Sequence, residues 1–210
     1  MKVAVFSESS ADEAMLRVLI DAVLGIATEP VDPPPLRTRG WPSVWQQLPG
    51  VMKHLHYHTD AEALVLVVDS NGSPIHQADH DALGPGETRC RMCLLQRTIR
   101  QVLQQLRPVA GKPLLKCALS LAVPTIEAWC LLGKHPLVGE ATWASGLASG
   151  NLPYTNNSLK QSLYGTERPS LDLQTKRMVE EAHRLATDLA AMERSFPSGF
   201  ASLLRDLRNW

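Results

Sequence analysis

A chain of 210 residues is long enough to bury a sizeable core, and its 44% hydrophobic content, with few aromatics, is that of a globular protein rather than a disordered one. Its 21 Lys and Arg balance 21 Asp and Glu, which excludes a global positive field for tight non-specific nucleic-acid binding, so any such grip must use a local patch. Pro, His, Arg or Asp interrupts every apolar stretch before the roughly 20 residues that a membrane span needs, so no membrane span is expected.

The opening Met-Lys-Val-Ala-Val-Phe lacks the long apolar stretch and cleavage site of a signal peptide, and the mature chain is expected to start there. Residues 2–6 predict a strand that stops at Ser7-Glu8-Ser9-Ser10. Met15, Leu16, Val18, Leu19, Ala22 and Val23 then follow helical spacing, with Ser9 or Ser10 as cap, Asp12 and Glu13 complementing the helix dipole, and Gly25 as the stop. Pro30, Pro33, Pro34 and Pro35 predict an extended loop. Trp41, Trp45, Leu48, Met52 and Leu55 predict a helix over 41–58. The continuously apolar run 63–68 is that of a strand buried on both faces of a parallel sheet, and it ends in Asp69.

A polar loop is expected to Glu87, followed by a helix over 89–106, a strand over 114–123 closed by Pro124, and a short helix over 126–132. Strands alternating with helices argue for an α/β fold, a mostly parallel, Rossmann-like, doubly wound sheet flanked by helices. Beyond Gly133 the composition turns to Gly, Ser, Asn and Pro as far as Tyr154, and helices are expected over 160–163, 171–192 and 200–207. The chain therefore reads as an α/β domain over 1–133 and a loop and helical C-terminal extension over 134–210 packed on it. Cys90, Cys93, Cys117 and Cys130 show no secreted-domain pattern, and reduced thiols in a cytoplasmic protein are expected.

In doubly wound folds ligands bind beyond the carboxyl ends of the strands, where Glu8 and Asp69 stand. Two carboxylates at neighbouring strand ends repel unless a cation lies between them, and a hard divalent ion with oxygen ligands is the usual partner. Glu127, in the first turn after the strand closed by Pro124, can join them or serve only the helix dipole. Arg89, Arg91, Arg97, Arg100 and Arg107 form the densest basic run, which a solvated helix face explains. His76, His80, Cys90 and Cys93 have spacings that a zinc site would accept, but Cys93 falls in an apolar helical stripe and core packing is expected. His54, His56 and His58 suit a polar surface segment as well as a phosphate contact. No phosphate loop for ATP and no Gly-x-Ser-x-Gly elbow is present.

The acidic turn at Glu8, the Val-Val-Asp69-Ser70-Asn71 strand end and Pro124-Thr125-Ile126-Glu127-Ala128-Trp129 together resemble TOPRIM-type proteins. The nearest resemblance is to the small bacterial group related to RloB and to the nuclease domain of the OLD (overcoming lysogenization defect) proteins. Lys160, Tyr164 and Pro197-Ser198-Gly199-Phe200 extend it to the C-terminal region. The resemblance implies a TOPRIM-type sheet and an Mg²⁺- (or Mn²⁺-) dependent nuclease, a hydrolase of phosphodiester bonds, on DNA in the first instance. It implies that Glu8 is a general acid or base or a metal ligand, with Asp69 and Asn71 at the Asp-x-Asp metal positions and Glu127 completing the set. Asn71 departs from the pattern and brings no charge, so either a nearby acid such as Asp79, Asp81 or Glu127 compensates or catalysis is weakened or lost. The implied partner is a separate ABC- or SMC-type ATPase in phage defence, with room for a homo-oligomer. The alternative is a catalytically degenerate TOPRIM-like binding or regulatory subunit. A receiver-like domain phosphorylated on Asp69 is disfavoured by the chain's length, the insertion after Asp69 and the helical tail.

Overall fold

The computed structural model describes residues 1–34, 40–77, 79–80 and 89–210. Three apolar runs form β1 (Lys2–Phe6), β3 (Ala63–Asp69) and β4 (Lys116–Ala122), and a short β2 (Glu29–Val31) completes an all-parallel sheet of order β2-β1-β3-β4. Chain direction through the sheet reverses at β1. The chain leaves β1 through α1 (Ser10–Leu24) to β2 on one side, then returns through α2 (Trp41–His58) to β3 on the other. The crevice between β1 and β3 is therefore the topological switch point, the place where such sheets bind ligands. Register sets its depth: Phe6 pairs with Leu66, so Glu8, two residues on, arrives beside the end of β3.

Alternation along the strands divides the core. Val3, Val5, Val65 and Val67 face α1 and the C-terminal helices, whereas Ala4, Phe6, Leu64, Leu66 and Val68 face α2 and α3 (Arg91–Gln105). Full burial of each such side chain contributes about 1.5–3 kcal/mol, and burial on both faces is why the β3 sequence shows no polar alternation. Ser9 caps α1 by accepting the Asp12 N–H, and Gly25 ends it at φ 66°, where a side chain would be strained.

After β4 the Val123–Pro124 bond is cis, and α4 (Ile126–Cys130) begins. Then come α5 (Glu140–Ser149), α6 (Asn156–Tyr164), α7 (Leu171–Leu185), α8 (Leu189–Ser195) and α9 (Phe200–Arg208). α7 packs along α1 and α9 along β4, so these helices share the core of one sheet face. Trp129 is fully buried there, edge-on to Phe200 at 5.5 Å.

α9 also closes the open side of β4. Asp206 Oδ2 accepts the Leu119 N–H at 3.1 Å, Ser120 Oγ donates to the Gly199 carbonyl at 2.9 Å, and Lys116 Nζ donates to the Trp210 carbonyl at 2.7 Å. A Cβ on Gly199 would lie 2.4 Å from the Leu121 carbonyl oxygen, so only glycine permits this approach. The buried Glu140 carboxylate holds the turn before α9 by accepting the Ser198 and Gly199 N–H groups, each at 2.7 Å.

The α/β class, the parallel sheet and the helical C-terminal region agree with the sequence reading, which several segments depart from, α6 among them in starting at Asn156 rather than Lys160. β2 forms within the segment read as loop, because Glu29 and Val31 pair with β1 even though Pro30 intervenes. α5 lies in the stretch read as irregular: Trp143 and Gly146 turn inward, and Gly146 is required where Pro153 would come within 2.5 Å of a Cβ. The expected helix over 171–192 is two helices, with Asp188 capping the second through the Ala191 N–H. α3 starts at Arg91 rather than Arg89. Among the described residues no helix is long and apolar enough to cross a membrane.

Candidate functional site

At the switch point Glu8 Oε1 accepts the backbone N–H of Asp69 at 3.0 Å, which ties the ends of β1 and β3 together. The Asp69 carboxylate turns to the next strand connection, where Oδ1 accepts the Ile126 N–H at 2.9 Å. Ile126 is the first residue of α4, and the Trp41 N–H at the start of α2 likewise supports Glu8. Helix N-termini thus aim partial positive charge at both acids. The parallel crossovers produce this directly, since each one starts a helix above the carboxyl end of a strand.

Glu127, one residue into α4, is buried beside them. A fourth acid, Asp12, joins from the first turn of α1, where its neighbours are Ser9 and Ser7. Ser7 Oγ is itself fixed by donating to the Val67 carbonyl at 2.7 Å. Burial and neighbouring negative charge raise three of these acids. Burial, then the charge of Glu127, pushes Asp12 up to about 7. Burial, then Glu127, Asp12 and Glu8, holds Asp69 well above the usual carboxylate range. Burial raises Glu8 as well, against the opposing effects of the Asp69 N–H and Arg91.

Arg91 supplies the compensating cation. Its Nη1 donates to the Asp69 carbonyl at 2.6 Å and lies 3.9 Å from Glu8 Oε1, and the guanidinium stacks 4.7 Å above the Trp41 ring. Among the described residues this is the one ion pair made to any of the four acids. The cluster therefore holds more carboxylates than cations. Two buried hydroxyls at its margin, Thr125 Oγ1 and the Tyr164 phenol, meet no hydrogen-bond partner among the described residues. The charges of Glu127, Asp12 and Asp69 reach Tyr164 and, after burial, raise its pKa. Buried hydroxyls left unpaired beside converging acids fit a site that takes a further ligand.

No family, no curated protein and no solved structure matches this chain.

The structure places Glu8, Asp69 and Glu127 near enough for their charges to interact and leaves Asn71 at the edge. Asn71, at φ 45°, donates its N–H to the Pro124 carbonyl, and its Oδ1 accepts from the Asn156 amide at 2.8 Å. Asp79 is exposed, and Asp81 lies outside the described residues. Asp12 is the acid that sequence reasoning assigns only to the helix dipole. The available signal is its spacing: four residues after Glu8, on the first turn of a helix starting at the same strand end, it faces the same crevice. Arg91 is hidden in a basic run that reads as solvated. His56 is buried, with Nε2 2.9 Å from the Arg107 carbonyl, and so serves packing.

Proposed function

We propose that the crevice between β1 and β3 is a divalent-metal site for phosphodiester hydrolysis, with Glu8, Asp69 and Glu127 as the ligand set and Asp12 providing the charge that Asn71 lacks. The observation that carries this reading is that four carboxylates, from two strand ends and two first helical turns, lie close enough for their charges to interact, while Arg91 pairs with Glu8. A hard cation bound there would supply Lewis-acid charge to a phosphodiester oxygen and lower the pKa of its water.

The chain's own groups divide the remaining work. Glu8 is 16% exposed and burial raises its carboxyl, so we assign it the role of taking or giving a proton. Asp69 is held in orientation by the Ile126 N–H. Arg91, fixed by the Asp69 carbonyl and by Trp41, offers a guanidinium face to a phosphate oxygen. DNA as substrate, a separate ABC- or SMC-type ATPase and a role in phage defence enter this proposal through the TOPRIM resemblance alone.

The test is cleavage of plasmid DNA by the purified chain with Mg²⁺ or Mn²⁺, alone and with a candidate ATPase, comparing wild type with Glu8→Ala and Asp69→Ala. Metal-dependent nicking that falls at least about 100-fold in both variants supports the enzyme, as expected for loss of a ligand that stabilises transition-state charge. The second reading, a degenerate binding subunit, draws on the engagement of Asn71 by Asn156. DNA retention without cleavage under every condition would favour it and sink the nuclease.

A further inference from the structure

The His and Cys residues that the sequence reading assigns to packing converge on one point. Ligand atoms of His76, His80, Cys90 and Cys93 all lie within 4.8 Å of one another. His76 Nδ1 is 3.6 Å from Cys90 Sγ and 3.5 Å from Cys93 Sγ. With Zn–S near 2.3 Å and Zn–N near 2.05 Å, a tetrahedral site has an N···S edge of about 3.6 Å, so both separations match. Thiol-to-imidazole hydrogen bonding does not account for the set equally well. One imidazole nitrogen has a single lone pair and accepts one S–H, whereas here two sulfurs approach the same nitrogen.

Local structure explains the convergence. Cys90 is the N-cap of α3 and makes no side-chain capping bond, while Cys93 is one helical turn on, so the Cys-x2-Cys pair shares a face. Both are reduced and almost fully buried. His80 follows His76 by four residues, its N–H meets the Gln77 carbonyl at 3.0 Å, and the two rings stand edge to face at 5.8 Å. His80 Nδ1 is buried without a hydrogen-bond partner among the described residues.

We propose that His76, His80, Cys90 and Cys93 form a structural zinc site that staples the segment after β3 to the N-terminus of α3. Four protein ligands leave no open position, which is the mark of a structural rather than a catalytic zinc. The placement of the site links it to the acidic crevice, because Arg91 lies between the two cysteines and its N–H is held by Ser73 Oγ at 3.0 Å. Zinc on Cys90 and Cys93 would fix the turn of backbone from which Arg91 reaches Glu8 and Asp69. The zinc proposal stands apart from the nuclease reading, because its ligands are disjoint from the acids.

The test begins with full-length wild type, expressed with zinc and purified without chelator, and its metal content measured by mass spectrometry. About one zinc per chain is expected, falling at least tenfold in Cys93→Ser and His76→Ala and unchanged in Cys117→Ser and Asp69→Ala. Should the ligand variants fail to fold, wild type alone decides. Chelator-stripped, reduced protein given Co²⁺ should develop thiolate charge-transfer absorption with tetrahedral d–d bands, both bleached by zinc. Zinc should also protect Cys90 and Cys93 from alkylation, as located by peptide mass spectrometry. Wild type without zinc and without a thiolate band, Co²⁺ spectra of octahedral oxygen coordination only, or zinc retained in both folded ligand variants would each overturn the site.

Discussion

Replacing Asp12 by Asn should remove much of a pH-dependent weakness in the metal-free protein. Asp12 moves from an ordinary 3.8 to about 7 in the folded chain, through burial and the charge of Glu127. Between those values the unfolded chain has ionised the group and the native chain has kept its proton, so the native state binds more protons and stability falls as pH rises. The loss begins near pH 4 and is complete a little above pH 7. Just over three units, at about 1.36 kcal/mol each, set an upper limit of about 4 kcal/mol. For a chain of this length that is on the order of 10 °C in melting temperature. The assay is urea and thermal unfolding of wild type and Asp12→Asn in EDTA at pH 5 and pH 8. The variant should gain on wild type at pH 8 and show the smaller drop between the two conditions. Added Mg²⁺ should restore wild type at pH 8 more than it restores the variant. Identical pH profiles for the two proteins would refute the argument that Asp12 belongs to a mutually repelling cluster.

Two substitutions probe the closure of the sheet. Gly199→Ala places a methyl 2.4 Å from the Leu121 carbonyl oxygen and 2.9 Å from Glu140 Oε1, and should cost about 3 kcal/mol in denaturant unfolding; an unchanged midpoint would contradict the close approach. Asp206→Ala leaves the Leu119 N–H without its acceptor and should cost about 1–3 kcal/mol by the same measurement. Light scattering should show a stronger concentration dependence in that variant, and none would mean that the carboxylate does not guard the edge.

The parts of the fold legible in the sequence are those dictated by a single dominant period. β3 is apolar without interruption because both faces are covered, and α2 repeats its apolar residues every three or four positions, so its limits, Trp41–His58, coincide with the reading. β2 is not legible, since three residues including Pro30 become a strand only through pairing with β1. α5 is concealed by Gly146, whose presence reflects contact with Pro153 rather than a turn. In the site, Glu8 and Asp69 can be read because strand ends are visible in the sequence and the crevice rule applies to them. Asp12 and Arg91 cannot, because an acid in a first helical turn and an arginine in a basic run each have an adequate local explanation. The His and Cys set is visible as spacing alone, since the apolar period of α3 accounts for Cys93 without a ligand.

The cover that α9 places over β4 has a consequence for biosynthesis. β4 is complete at Ala122, but the residues that cover its outer side, from Gly199 to Trp210, with Asp206 accepting the Leu119 N–H, are translated more than seventy residues later. Throughout that interval a nascent chain can pair three strands yet must leave the outer N–H and C=O groups of the fourth exposed, a template for any neighbouring chain on the same message. Slower elongation through the helices before α9 would lengthen that exposure, and a holding chaperone near the ribosomal exit would shorten its reach.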